Sequence, residues 1–571
     1  MQQFVFLTLL IRGFRYFQVQ TLTWRHMSTL VFASSAMAVF VFCVGHVNCW
    51  SDSHEFMEYA KDFFTPANRL AWYYRDPAYP FLIWLSGYPL TNNLFVLFLF
   101  QTLMAAAVPP LICLTLSTFS PMAALAAGWV SLISLVPFIF QLQLFNDQLH
   151  LFLLVLCACT AVRCLSTGHI GCLYGVAVSF ALLLASRPTF VALAPLPLVL
   201  ATRWLLEMRQ SNRARVYHVV GAVAIFALLT VANLWLRAAP YVGGYPPGEI
   251  GPKRAADAHL AGAALHHDTG FTPVTNYSAE QLFSQLYLHG GKFAESFRPE
   301  DGPATKRFLE VMQIYIQNSD YVNGTNESFI QYTERFLHAK SPTVISPAQA
   351  LDTYLHHPIY QVATLHNFFD WYGNRANALV RGMYVEQITR HPKILVSMLR
   401  NGFMEVMFAS YSRYHYNDEY FSYPFLPTVY FEPFDQEWGC KYSNVSDFLG
   451  WKPHSIGRLH HFNHHYVQYY LGFSRVCNVI GLAGLPLYLY WLFSRSASQR
   501  LESLAYLTLF ALYWVPNVIM MTLVLIIYRY QASAILLQLM MAMMTLRQLV
   551  VFTLGPPPLV TASPADAAQP D

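Results

Sequence analysis

Two acidic residues and three arginines in this chain stand where apolar runs give way to polar ones. Asp52 lies in Trp50-Ser-Asp52-Ser-His-Glu55, just after the apolar stretch Met27 to Val47. Asp147 lies in Asn146-Asp147-Gln148-Leu-His150, Arg187 in Ser186-Arg187-Pro188-Thr189, and Arg529 in Tyr528-Arg529-Tyr530-Gln531. Arg75 opens Arg75-Asp76-Pro77-Ala78-Tyr79-Pro80 and is preceded by Tyr73 and Tyr74. A carboxylate at a membrane boundary can take a proton from a hydroxyl or amine while a second one orients that group. A guanidinium at headgroup level matches a phosphate bidentately. Plainer readings stand beside these. Asn146-Asp147 suits a helix N-terminus, where acidic residues favour the dipole. Arginines at such turns also snorkel to lipid headgroups.

The elements that must position these residues follow from composition. The chain has 571 residues, 55% hydrophobic and only 12% charged, with a mean hydropathy of +0.34. A soluble domain carries about a quarter charged residues, so this is a polytopic membrane protein. The net charge of +4 is small and no basic stripe interleaved with aromatics occurs, which argues against nucleic acid as a partner. Aromatics at 16% suit interfacial belts and surfaces that stack on sugars. The nine cysteines show no C-x-x-C spacing, so neither a zinc ribbon nor a redox motif is indicated.

Residues 1–26 read as a cytoplasmic or interfacial segment rather than a signal peptide, because the run Phe4 to Ile11 is short and is followed by Arg12, Arg15 and Arg25. Apolar windows then predict ten spans, at 27–47, 92–117, 120–141, 147–163, 170–186, 188–206, 215–237, 473–494, 501–527 and 531–552. Seven lie in a module at 27–237 and three at 473–554. Threading from a cytoplasmic N-terminus puts Arg203, Arg209, Arg213, Arg215, Arg495 and Arg500 inside, as the positive-inside rule requires. The same threading puts the 48–91 loop, the 142–147, 186–188 and 528–530 turns, and the segment 238–472 on the outer face.

Segment 238–472 is too long to lack structure. It opens on the turn-rich Gly243 to Gly248, and helical periodicity follows at 304–318, 326–339 and 377–401. The expectation is an all-α polytopic bundle with a large, mainly helical external domain and a disordered tail from 555 to 571. His460, His461, His464 and His465 form two i, i+4 pairs, a zinc-compatible spacing, with an interfacial helix as the plainer reading. The sequons at Asn276, Asn323, Asn326 and Asn444 fall in the external segment. Cys49 and Cys440, the cysteines outside the spans on the oxidising face, form a candidate disulfide.

Taken together these motifs resemble the GT-C fold glycosyltransferases that use polyprenyl-phosphate sugars, such as the protein O-mannosyltransferases and the aminoarabinose transferases of lipid A. Asp52 with Glu55, Phe56, Tyr59 and Ala60 is similar to the first-loop acidic site. The run Arg75 to Pro80 resembles the family's Arg-x-Pro-x-Tyr-Pro element, and Asn146-Asp147 its second acidic site. Ser186-Arg187-Pro188 resembles an Arg-Pro that opens a later span. Glu386 to Pro392 with Arg400-Asn401 is similar to an external helical element, and Tyr528-Arg529-Tyr530 to the Arg-Tyr before the last span. The external segment is larger than in minimal members, and Glu55 or Glu58 could share the role of Asp52.

The resemblance implies a multi-pass transferase of a bacterial inner membrane with its site facing the periplasm. It would move a sugar from a polyprenyl-phosphate donor to a lipid, glycan or protein acceptor. Asp52 and Asp147 would be catalytic, and Glu55, Arg75, Tyr79, His150, Arg187, Arg529 and Tyr530 would bind substrate. No organic cofactor is implied, and a divalent metal is allowed by the chemistry but not indicated. Two alternatives remain. A lipid-linked saccharide transporter or flippase predicts charges deep in the spans and internal repeats. An O-antigen ligase or polymerase relies on arginines in a late loop rather than an acid in the first.

Overall fold

The computed structural model describes residues 22–44, 51–61, 63–64, 76–207, 213–237, 282, 286, 298–318, 374–408, 457–523 and 534–554. Among these every regular element is helical. The first half of the chain contributes α1 (Trp24–Val44), α2 (Ser51–Lys61), α3 (Ala78–Leu85), α4 (Tyr88–Thr91), α5 (Phe95–Leu116), α6 (Pro121–Ile133), α7 (Asp147–Thr167), α8 (Ile170–Ser186), α9 (Leu196–Glu207) and α10 (Arg213–Arg237). The middle contributes α11 (Pro303–Asn318), α12 (Asn374–Arg390) and α13 (Pro392–Phe408). The last part contributes α14 (Gly457–Ala483), α15 (Leu485–Trp491), α16 (Ala497–Leu523) and α17 (Ile535–Leu554). Arg75, Arg529, Tyr530, Cys49, Cys440, the four sequons, the stretches 243–248 and 326–339 and the tail lie outside the described residues.

The protein is all-α and polytopic, and among the described residues seven helices are long and apolar enough to cross a membrane: Trp24–Cys43, Phe95–Leu116, Asp147–Thr167, Val216–Leu234, Gly472–Trp491, Ala497–Met520 and Ile535–Thr553. The other three predicted spans are shorter apolar helices, Pro121–Ile133, Ile170–Ser186 and Thr189–Leu205. The predicted span at 120–141 fails for a local reason. Leu135 takes a left-handed φ of 59° and Pro137 follows, so α6 ends at Ile133 and a single 3-10 turn, Val136–Phe138, replaces the last turns. The predicted 188–206 span likewise begins as a 3-10 turn, Pro188–Leu193, before α9. Hydropathy windows register apolar composition, which a buried non-helical segment shares with a span.

Two further boundaries shift. The segment 48–91, expected as a loop, contains α2, α3 and α4. The expected border at 472 falls inside α14, which runs unbroken from Gly457 to Ala483 and carries the four histidines on one helix. The predicted 377–401 helix is two helices, because Pro392 removes the amide that would have continued α12.

Side-chain contacts fix how the helices run. In α1 and α5, Met27 meets Cys113, the Ser34 hydroxyl donates to the Ala106 carbonyl, and Phe42 packs edge-on against Phe95. These helices are therefore antiparallel. Leu501 and Leu504 at the start of α16 pack on Ala161, Cys164 and Leu165 near the end of α7, so that pair is antiparallel too. The bundle thus has one end holding the C-terminus of α1 and the N-termini of α5 and α7. Its other end holds Trp24, Gly168, Trp204 and the start of α16. On the first end α13 docks: Asn478 of α14 donates to the Val406 carbonyl at 2.6 Å, and Phe403 stacks on Trp514 of α16.

Candidate active site

The site is built on a segment that a membrane protein should avoid. Residues 136–150 are buried without a break, yet 139–146 form only turns, bends and one isolated bridge residue, Gln143. With no water to satisfy it, irregular backbone at membrane depth persists only where protein groups bond to it. Glutamines do this here. Gln101 of α5 donates to the carbonyls of Gln141 and Gln143 at 2.9 and 3.0 Å. Gln141 donates to the Ala38 carbonyl and the Thr102 hydroxyl, and Gln143 to the Ile139 carbonyl. The Tyr79 hydroxyl donates to Gln101 Oε1 at 2.8 Å and reaches the Gln143 carbonyl at 3.4 Å. Tyr79, expected to bind substrate, is fully buried and bonded into this network.

From α2 the Ser53 hydroxyl donates to the Leu144 carbonyl at 2.8 Å, and Phe56 makes edge-on contacts with both Tyr79 and Phe145. These bonds fix the helix that carries Asp52 and Glu55 three residues from Asp147 along the partner segment. The side chains of Asp52 and Glu55 themselves lie outside the description.

At the start of α7 the chain meets the end of α8. The Arg187 guanidinium donates to Asp147 Oδ1, with Asp147 fully buried and Arg187 only 8% exposed. Asn146 Nδ2 donates to the Ser186 carbonyl at 2.6 Å, and His150 Nδ1 lies 3.2 Å from the Ser186 hydroxyl. The His150 ring also packs against Phe190. Asn146 stands at the N-cap position in helical conformation and makes no side-chain capping bond to α7, while its Nδ2 ties it to α8. Asp147, Arg187 and His150 are thus brought together, and Tyr79 lies one hydrogen-bonded network away.

Asp147 fixes the Arg187 guanidinium in place. Arg187 in turn becomes a preorganised cation at one end of the bundle, a group able to hold a phosphate.

Sequence reasoning missed four of the site's polar residues: Gln101, Gln141, Asn146 as an interhelical tie, and Gln148. Gln148 is fully buried and neither of its amide atoms has a partner among the described residues. The available signal was the bunching of Gln141, Gln143, Asn146 and Gln148 within an otherwise apolar stretch. At the other end of the bundle Glu502 of α16 accepts from Arg547 of α17 at 2.7 Å, from the Tyr488 hydroxyl and from Gln548. Among the described residues no group of three or more His, Cys, Asp or Glu is arranged to hold a metal, and the side chains of the α14 histidines lie outside the description. Comparison with protein-family models, with curated proteins and with solved structures finds no match in any of the three.

Proposed function

We propose that the protein is an integral membrane glycosyltransferase that moves a sugar from a polyprenyl-phosphate donor to an acceptor on the extracytoplasmic face. The observation that supports this most is the convergence at one bundle end of three sequence-distant elements: α2 bearing Asp52, the buried segment 139–147 that ends on Asp147, and Arg187 at the end of α8. A lipid-phosphate donor needs a cation for the leaving phosphate and a base for the acceptor, in a site shielded from water. In the proposed single displacement the acceptor oxygen or nitrogen bonds to the anomeric carbon as the bond to phosphate oxygen breaks. Asp52 takes the acceptor proton and Arg187 balances the charge on the departing lipid phosphate. The lipid, glycan or protein nature of the acceptor is left to experiment.

Reconstitution in lipid vesicles with polyprenyl-phosphate sugars tests the reading. Asp52→Asn should insert normally and lower turnover by roughly a hundredfold or more, the scale of a lost general base. Near-normal turnover in that variant would sink the mechanism and move attention to Glu55. The buried Glu502–Arg547 pair favours a second reading, a lipid-linked saccharide transporter, since charges within spans often mark a translocation path. Movement of labelled lipid between leaflets without sugar transfer would favour that alternative.

A further inference from the structure

Gln148 is a buried polar group that the fold leaves without partners among the described residues. It is the second residue of α7, next to Asp147, with no solvent exposure and no hydrogen bond from either Nε2 or Oε1 among the described residues. Asn146 Oδ1, two residues earlier and also buried, is in the same condition. The neighbouring glutamines show that the fold can satisfy an amide here: the nitrogens of Gln101, Gln141 and Gln143 all donate to backbone carbonyls. Gln148 is left out of that scheme. A buried amide without partners is costly, and an apolar side chain of similar shape would avoid the cost altogether. Unpaired polar atoms that persist in this way mark a place where a ligand completes the bonding.

The atoms present define the ligand. Nε2 of Gln148 offers donors, while its Oε1 and Asn146 Oδ1 offer acceptors. An anion would be repelled by the two oxygens, and a cation by the amide nitrogen. Hydroxyl groups both give and take hydrogen bonds, and two hydroxyls on adjacent carbons can span one amide. The Arg187 guanidinium close by supplies the positive charge that a neutral polyol does not need but a sugar phosphate does. We infer that Gln148, with Asn146, reads the hydroxyls of the transferred sugar and so determines donor specificity, while Arg187 holds the phosphate. This rests on the polyprenyl-phosphate reading above.

The test uses the full chain in lipid nanodiscs. The probes are one polyprenyl phosphate bearing mannose, glucose or arabinose, and the same lipid phosphate without a sugar. Wild-type protein should bind one sugar-bearing lipid more tightly than the other two. Gln148→Leu should weaken that preferred lipid roughly tenfold or more, as expected for one or two lost hydrogen bonds, and leave the bare lipid phosphate unchanged. Its Tm should be equal to or above that of wild type, because the unpaired amide is gone. Gln148→Met serves the same comparison should the leucine variant not insert. Equal weakening of both lipids, or no change in either, would make Gln148 a structural residue and overturn the inference. Failure of the wild-type protein to bind any polyprenyl phosphate would instead overturn the parent reading, and this inference with it.

Discussion

At the scale of single residues, the Asp147–Arg187 pair decides what each member can do. Both charges are withdrawn from solvent, and the pair joins α7 to α8 beside the Asn146–Ser186 and His150–Ser186 contacts. Removing one member leaves the other buried and uncompensated, a loss of about 3–5 kcal/mol in comparable pairs. Replacing both with apolar residues of similar volume costs much less. Asp147→Leu and Arg187→Met should therefore each lower Tm sharply, and the double variant should recover most of the loss in thermal unfolding. The recovered double variant should still bind lipid phosphate poorly, because Arg187 is the anion-binding member. Restored binding in the double variant would show that the pair only staples the helices.

At the scale of elements, the α11–α13 module shows how a segment expected only as periodic helix is organised. Glu386 of α12 caps the N-terminus of α11 from a distance in sequence, accepting from the Ala304 and Thr305 amides at 2.9 and 2.7 Å and from the Thr305 hydroxyl. Asp301 takes hydrogen bonds from the Arg298 amide and Gln387, and its other oxygen lies 3.0 Å from His391 Nε2. Burial pushes both carboxyls up, but the hydrogen bonds outweigh it and hold each below its ordinary value. A folded pKa below the unfolded one means that this junction is fully stabilised above the unfolded values, about 4 for these groups, and weakens as pH falls through the folded ones. The protection factors of the Ala304 and Thr305 amides, corrected for the intrinsic pH dependence of exchange, should fall below about pH 4 and stay flat between about pH 5 and pH 7. Glu386→Gln should remove most of that pH dependence. The periodicity at 304–318 made α11 legible; the break at Pro392 was passed over, because the apolar period runs on through it. The Glu386 cap was not legible, because 82 residues separate it from Ala304 along the chain and nothing local to either marks the contact.

At the scale of the whole molecule, polar chemistry is divided between two ends of one bundle. The Asp147–Arg187 end holds the irregular buried segment, and the opposite end holds Glu502 with Arg547, Tyr488 and Gln548. Long apolar windows were enough to find the seven full-length spans, since each is long and strongly apolar. They could not find where a buried chain leaves the helix, as at Leu135–Pro137, nor which polar residues pair across helices. The positions of Asp147 and Arg187 as turn residues were legible; their bond was not, because it depends on how α7 and α8 pack. The antiparallel contacts place α2 at the Asp147 end, and α13 docks on α14 and α16 at that same end. On the proposed topology that end faces the extracytoplasmic side. Single cysteines at Lys61 and at Glu300, in a background without native cysteines, should both react with an impermeant maleimide in intact cells. A cysteine at Arg500, on the exposed start of α16, should react only after the membrane is opened. Protection of Lys61→Cys together with labelling of Arg500→Cys would invert the bundle and place the Asp147–Arg187 site on the cytoplasmic side, where a nucleotide-sugar donor would replace the lipid-linked one.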